Sequence, residues 1–198
     1  MRKIFFDLDG TLIDSKKRLY QLFQDLIPES KLSFDEYWKL KSHKVNHQTI
    51  LSEQFPQYDF DAFNQKWLSL IETEKYLKLD TVYPNVKEVL TALGRENELY
   101  VLTARQSKEM LYNQLDWLGL TPYFKEILVT ENKQTKTDIL KRFSLSFEDV
   151  LIGDTGHDIQ TGKAAGLKTI AVSYGFLAED VLNTYQPDKI VKQLNGDL

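Results

Sequence analysis

Carboxylates gather at a few points of this chain. The stretch IFFDLDGTLIDS, residues 4–15, runs from an apolar segment into Asp7, Asp9 and, further on, Asp14. GDTGHD at 153–158 supplies Asp154 and Asp158, and VLTAR at 101–105 supplies a hydroxyl at Thr103. Such groups serve as nucleophiles, proton carriers or ligands of a hard cation. In one pocket they cannot all ionise cheaply, so one holds its proton more strongly or a cation joins them. The elements around them decide whether they meet.

Each of these groups follows a short apolar run. Lys3–Asp7, Glu98–Thr103, Glu126–Val129, Asp149–Gly153 and Lys168–Ser173 read as buried strands, with a weaker sixth near Lys189–Val191. Between them, Pro84–Leu93 sets Val86, Val89, Leu90 and Leu93 on one helical face, and Ser107–Leu118 does the same with Met110, Leu111, Leu115 and Leu118. Gly94 and Gly119 stand where a helix C-terminus favours a left-handed residue. Strands alternating with helices predict an α/β fold, a Rossmann-like parallel sheet core flanked by helices. All strand C-termini of such a sheet open on one edge, where ligands bind. Asp7, Thr103 and Asp154 are therefore expected to meet there.

Residues 15–79 break the alternation. Leu19, Leu22, Phe23, Leu26 and Ile27 form one helical stripe, and Phe60, Phe63, Trp67, Leu70 and Ile71 form another, both read as helix–helix packing. The block predicts an inserted α-helical cap domain at 15–79, set into a core of 1–14 and 80–198. Asp14 is expected to cap its first helix. The 198 residues, 42% apolar and 27% charged, have the profile of a soluble globular chain. A net charge of -4 without a basic run argues against nucleic-acid and membrane partners. The absence of cysteine excludes disulfides and thiolate chemistry and fits a reducing, cytoplasmic location. The apolar stretch behind Arg2-Lys3 ends at Asp7, too short for a signal peptide. A monomer or weak homodimer is expected.

DLDGT at 7–11, the Thr of VLTAR, a lysine ahead of a helix and GDTGHD occur in that order across nearly the whole chain. Together they resemble the haloacid dehalogenase superfamily of phosphotransferases. DGTLIDS with a helical insertion behind it is similar to the phosphoglycolate phosphatase and β-phosphoglucomutase branch. The resemblance implies a Mg²⁺-dependent phosphatase acting on a small phosphorylated metabolite through an aspartyl-phosphate. It makes Asp7 the nucleophile and Asp9 the acid that protonates the leaving oxygen and then activates water. An Asp at position 9 disfavours carbon–halogen chemistry. The implied Mg²⁺ ligands are Asp7, the Asp9 backbone carbonyl, Asp154 and Asp158, although Asp158 also fits a helix N-terminal acid. Gly10, Thr11, Thr103 and Ala104 are expected against phosphate, as is the lysine. Thr135 with Asp138 forms a capping box that starts a helix at Lys136, which favours Lys136 over Lys133 as that lysine. A cation in a first helical turn opposes the dipole, and the acid cluster would compensate it. His157 reads as a surface residue or one behind the ligands.

In the insertion, KLKSHKVNHQ at 39–48 offers Lys41, His43, Lys44 and His47 to a second anionic group, with a solvated loop as the alternative. Lys16, Lys17 and Arg18 open the first helix, but three consecutive residues cannot share one face. TAR at 103–105 departs from the family pattern, in which many relatives have Asn after the Thr, and this bears on the local phosphate contacts. Two other functions compete: a β-phosphoglucomutase-like phosphomutase, and a catalytically quiet binding protein of the same fold.

Overall fold

The computed structural model describes residues 1–195. Its centre is a six-stranded, all-parallel sheet in the order β5-β4-β1-β6-β7-β8. The strands are β1 (Arg2–Phe6), β4 (Asn97–Thr103), β5 (Glu126–Val129), β6 (Val150–Gly153), β7 (Lys168–Val172) and β8 (Lys189–Val191). All six match the predicted runs to within a residue at either end. The short β2 (Ile13–Asp14) and β3 (Thr81–Val82) pair antiparallel as a separate ribbon.

The strands are nearly continuous apolar runs because helices cover both faces. Ile4 and Phe6 point into one cluster with Val89, Leu90, Leu111 and Leu115, contributed by α6 (Val86–Leu93) and α7 (Lys108–Leu118). Phe5 points the other way, into a cluster with Tyr100, Leu151, Ile139 and Leu140, the last two from α8 (Lys136–Leu140). On that second face α9 (Gly156–Ala164) sets Ile159 against Ala171, beside Leu182 of α10 (Glu179–Asn183). Gly119 is left-handed (φ 67°) as expected. Gly94 is not: its φ is -66°, because the chain runs on through turns at Arg95 and Glu96 before entering β4.

Between β2 and β3 lie α1 (Lys16–Leu26), α2 (Phe34–Ser42), α3 (His47–Gln54), α4 (Phe60–Leu70) and α5 (Glu74–Leu77). Ser33, Asn46 and Asp59 each accept a backbone N–H at a helix start, the first within a capping box. Asp14 Oδ1 takes the N–H of Lys16 at 3.0 Å, one residue before the N-cap Ser15. Helices of 4 to 11 residues are marginal alone. These are held by their own cluster of Phe23, Ile27, Tyr37, Ile50, Phe55 and Phe63. Full burial of one such side chain contributes about 1.5–3 kcal/mol, against about 1 kcal/mol for a typical cap.

Candidate active site

β1 pairs with β4 on one side and β6 on the other, so the sequence order reverses around it. The C-terminal ends of these three strands therefore frame a crevice of the kind that binds ligands in open parallel sheets. Asp7 follows β1, Thr103 ends β4 and Asp154 follows β6. Beyond Asp7 the chain folds tightly: the Leu8 carbonyl accepts the N–H groups of Thr11, Leu12 and Ile13. Gly10 makes this turn possible with φ 84°, and a Cβ there would lie 2.1 Å from Asp154 Oδ2.

The acids do meet. Carboxylate oxygens of Asp7, Asp154 and Asp158 lie within 4.8 Å of one another, and all three residues are buried. Lys136, at the first position of α8 after a Thr135–Asp138 capping box, is buried beside them. Its Nζ donates to Asp7 Oδ1 at 2.5 Å and to Asp158 Oδ1 at 2.7 Å. Lys133 is exposed, and among the described residues its ammonium pairs with Glu131. Asp158 takes the helix N-terminal place foreseen for it and also lies in the acid cluster. Its Oδ2 accepts from Thr155 N and Oγ1 in the capping box of α9, while Oδ1 faces Lys136.

Burial works against every charge here, and the neighbours decide each outcome. It pushes Asp7 up to about 7 despite Lys136. It also pushes Asp154 well above the usual carboxylate range, with Asp7 and Asp158 adding to the effect. Burial opposes the Lys136 ammonium too, but Asp158 and Asp7 outweigh it and hold the proton on. Asp158 stays low because Lys136 and Thr155 overcome its burial. With all three carboxylates ionised against one ammonium, the cluster would carry two negative charges, which one divalent cation would balance. All the donors are oxygen, which suits Mg²⁺. Asp154 Oδ2 is anchored by Phe176 N at 2.6 Å, and a Cβ on Gly175 would come 2.2 Å from the Asp154 Cβ. The acid thus sits in a cradle that side chains at positions 10 and 175 would fill.

A cavity of about 280 Å³ opens over this cluster. Asp7, Asp9, Thr103, Ala104, Lys136 and Asp158 line it, together with Thr155 and His157. Gly10 and Thr11, expected against phosphate, instead pack against Asp154: Thr11 Oγ1 lies 3.4 Å from Asp154 Oδ1. The insertion contributes Arg18, Leu19, Trp67, Ile71 and Glu72 to the wall.

Asp9 occupies an unexpected setting. Arg105 forks onto it, Nε to Oδ2 at 2.6 Å and Nη2 to Oδ1 at 2.8 Å, and Arg18 Nη2 also donates to Oδ1. Behind them Asp80 lies 3.3 Å from Arg18 Nε and 3.6 Å from Arg105 Nη2, and accepts from Gln114 Nε2 at 2.7 Å. Burial pushes Asp9 up, but Arg105 and Arg18 outweigh it and hold it far below the usual carboxylate range.

The four insertion residues expected at a second anion do not line this cavity. His47 is enclosed among Phe23, Phe63 and Trp67, with Nε2 2.8 Å from the Tyr37 hydroxyl. Lys41 is half-buried near it, and its charge helps lower the His47 pKa. His43 and Lys44 turn to the end of the chain instead. His43 lies 4.0 Å from the Asp180 carboxylate, and the Lys44 ammonium sits 5.1 Å over the Tyr185 ring. Sequence reasoning missed Glu72, Phe176 and the full part played by Arg18 and Arg105. The signal available was Arg105 itself, two residues beyond Thr103, and Arg18 as the one member of Lys16–Arg18 whose face turns inward.

Comparison with known proteins fits this architecture. A family model described as haloacid dehalogenase-like hydrolase matches residues 4–172. The chain belongs to that family, and it is an enzyme, a phosphoric monoester hydrolase. The phosphoglycolate phosphatase of Aquifex aeolicus is 29% identical over 203 residues, covering 95% of this chain and 91% of the relative. The pyrophosphatase PpaX of Bacillus pumilus is 27% identical over 207 residues, covering 97% and 92%. A solved haloacid dehalogenase-like family hydrolase of Streptococcus pneumoniae shares the fold with a TM-score of 0.79 at 22% identity, covering 98% of this chain and 94% of that one.

Proposed function

We propose that the protein is a Mg²⁺-dependent phosphatase that hydrolyses a small phosphorylated metabolite, phosphoglycolate-like, through an aspartyl-phosphate on Asp7. The observation that carries this is Lys136, buried between Asp7 and Asp158 at 2.5 and 2.7 Å, with Asp154 completing an oxygen cluster. Asp7, Asp154 and Asp158 would hold Mg²⁺, which offsets charge on the acids and on phosphoryl oxygens. Lys136 favours the ionised form of Asp7 and faces the transferring group. Thr103 and Ala104 line the same wall, where the hydroxyl and the amide would receive phosphoryl oxygens.

Two displacements follow. A carboxylate oxygen of Asp7 bonds to phosphorus as the ester oxygen leaves and takes a proton from Asp9. Water then attacks phosphorus, its proton passes to Asp9, and the Asp7–phosphorus bond breaks to return the carboxylate. Asp9 must leave its arginines for this, because a carboxylate so held carries no proton. Residues 15–79 act as a cap domain on a core of 1–14 and 80–198. They supply part of the cavity wall, and the β2–β3 ribbon joins them to the core. A cavity of about 280 Å³ suits a small substrate.

The test is phosphate release from a panel of small phosphoesters, with Mg²⁺ and with chelator, by wild type and Asp7→Asn. Release that needs both Mg²⁺ and Asp7 is the expected result. Comparable release by folded Asp7→Asn overturns the nucleophile assignment.

A further inference from the structure

Two arginines converge at the junction of the insertion and the core. Arg18 comes from α1 and Arg105 follows β4, and both line the cavity that holds Asp7 and Lys136. Both guanidiniums are almost fully buried. Buried cations keep a counter-charge, because leaving one unpaired is costly. Two carboxylates supply it here, and they are not alike. Asp80 has no exposed side-chain surface and is fixed from behind by Gln114. Asp9 stands in the cavity wall with 18% of its side chain exposed.

Asp9 therefore occupies the cavity side of an arginine fork, the geometry with which guanidinium recognises a carboxylate or a phosphoryl group. Arg105 Nη1 is buried and has no hydrogen-bond partner among the described residues, so the fork has a donor to spare. Glu72 is the acid that the insertion adds to this wall, and both of its oxygens already accept backbone N–H groups, Gln106 and Ser107 at 2.8 Å each. Asp9 is thus the one counter-ion that can be exchanged without exposing a second unpaired group.

Resting on the phosphatase reading above, we infer that Arg18 and Arg105 form a second anion subsite. The substrate is a phosphomonoester bearing another anionic group, carboxylate or phosphoryl, which takes the place of Asp9 on the arginines and frees Asp9 for proton transfer. An ester with only one anionic group leaves the arginines short of a counter-charge whenever Asp9 moves away. Removing one member of a buried charge pair costs on the order of a hundredfold in binding or rate, which sets the size of the expected preference.

The test compares kcat/KM for phosphoglycolate, pyrophosphate, ethyl phosphate and p-nitrophenyl phosphate with Mg²⁺. The proteins are wild type, Arg18→Gln, Arg105→Gln and Arg105→Lys, each checked for folding by circular dichroism. The deciding quantities are two ratios of doubly to singly anionic substrate matched in leaving group, phosphoglycolate over ethyl phosphate and pyrophosphate over p-nitrophenyl phosphate, in which the shared phosphoryl chemistry cancels. Wild type should favour the doubly anionic substrate in at least one ratio by about a hundredfold. Whichever leads identifies the second group as carboxylate or phosphoryl. Both Gln variants should bring that ratio close to one, and Arg105→Lys, which keeps charge but not the fork, should not restore it. Wild-type ratios both near one, or equal losses on all four substrates, overturn the subsite while Mg²⁺- and Asp7-dependent hydrolysis stands. If wild type hydrolyses none of them, the phosphatase reading falls. Calorimetry on Asp7→Asn then decides the subsite alone: tighter binding of phosphoglycolate or pyrophosphate than of ethyl phosphate, lost with Arg105→Gln, supports it, and equal binding overturns it.

Discussion

His47 makes the stability of the helical insertion depend on pH in a way that can be measured. Its ring is packed 5.7 Å from Phe23, 5.2 Å from Phe63 and 4.3 Å from Trp67, centroid to centroid. Burial, with the Lys41 charge nearby, lowers its pKa to about 3. In the unfolded chain a histidine titrates at about 6.5. The unfolded state therefore binds a proton that the folded state refuses. The stability contributed by neutral His47 is fully present above pH 6.5 and drains away as the pH falls toward 3. The slope is about 1.4 kcal/mol per pH unit, so about 2 kcal/mol is lost by pH 5. His47→Gln removes the titration and keeps a polar partner for Tyr37. Urea unfolding of both proteins at pH 7.5 and pH 5, followed by tryptophan fluorescence, isolates the term, since Trp38 and Trp67 lie in this cluster. The other titrating groups are common to both proteins and cancel. The advantage of wild type over the variant should shrink by about 2 kcal/mol at pH 5. An advantage that is the same at both pH values would refute the burial argument, as would a His47 ring resonance that titrates near pH 6.5.

Lys136→Ala should lower kcat by about a hundredfold or more, while exposed Lys133→Ala leaves it within about twofold; the reverse order in phosphate-release kinetics would reassign the lysine. Gly10→Ala would drive a Cβ to 2.1 Å from Asp154 Oδ2 at a positive φ. It should weaken Mg²⁺ activation and lower stability by about 1–3 kcal/mol, read by Mg²⁺ titration and thermal melting. Mg²⁺ should raise the melting temperature over chelator by the equivalent of about 2.7 kcal/mol at a hundredfold excess over Kd, and Asp154→Asn should abolish that rise.

The sequence was most informative where one local pattern had one structural solution. A parallel sheet gathers its strand ends whatever covers its faces, so Asp7, Thr103 and Asp154 could be placed together from apolar runs alone. The Thr135–Asp138 capping box located the start of α8, which singled out Lys136, now seen against Asp7 and Asp158. What stayed hidden depends on how the insertion sits on the sheet. Periodicity assigns Trp67 and Ile71 to an apolar face but does not say that its edge borders a cavity. The polar stretch around His43 and Lys44 suggested a substrate loop, yet it reaches Asp180 and Tyr185 near the end of the chain. The Arg18–Asp9–Arg105 arrangement joins residues 9 and 96 positions apart, and no local rule links them.

That arrangement also changes what the opening motif means physically. Asp7 and Asp9 are two residues apart, yet burial raises one while arginines lower the other. A turn built on Gly10 separates two carboxylates that share a strand end into different electrostatic settings, one beside a lysine and one on a guanidinium pair. These settings are the reverse of what the proposed roles need, an ionised Asp7 and a protonated Asp9, so under that reading a cation must lower Asp7 and Asp9 must leave its arginines. Moving Asp9 between its arginines and the leaving group therefore couples proton transfer to the position of α1, which carries Arg18. A change at the insertion's first helix should then alter the chemical step through Arg18 and Asp9.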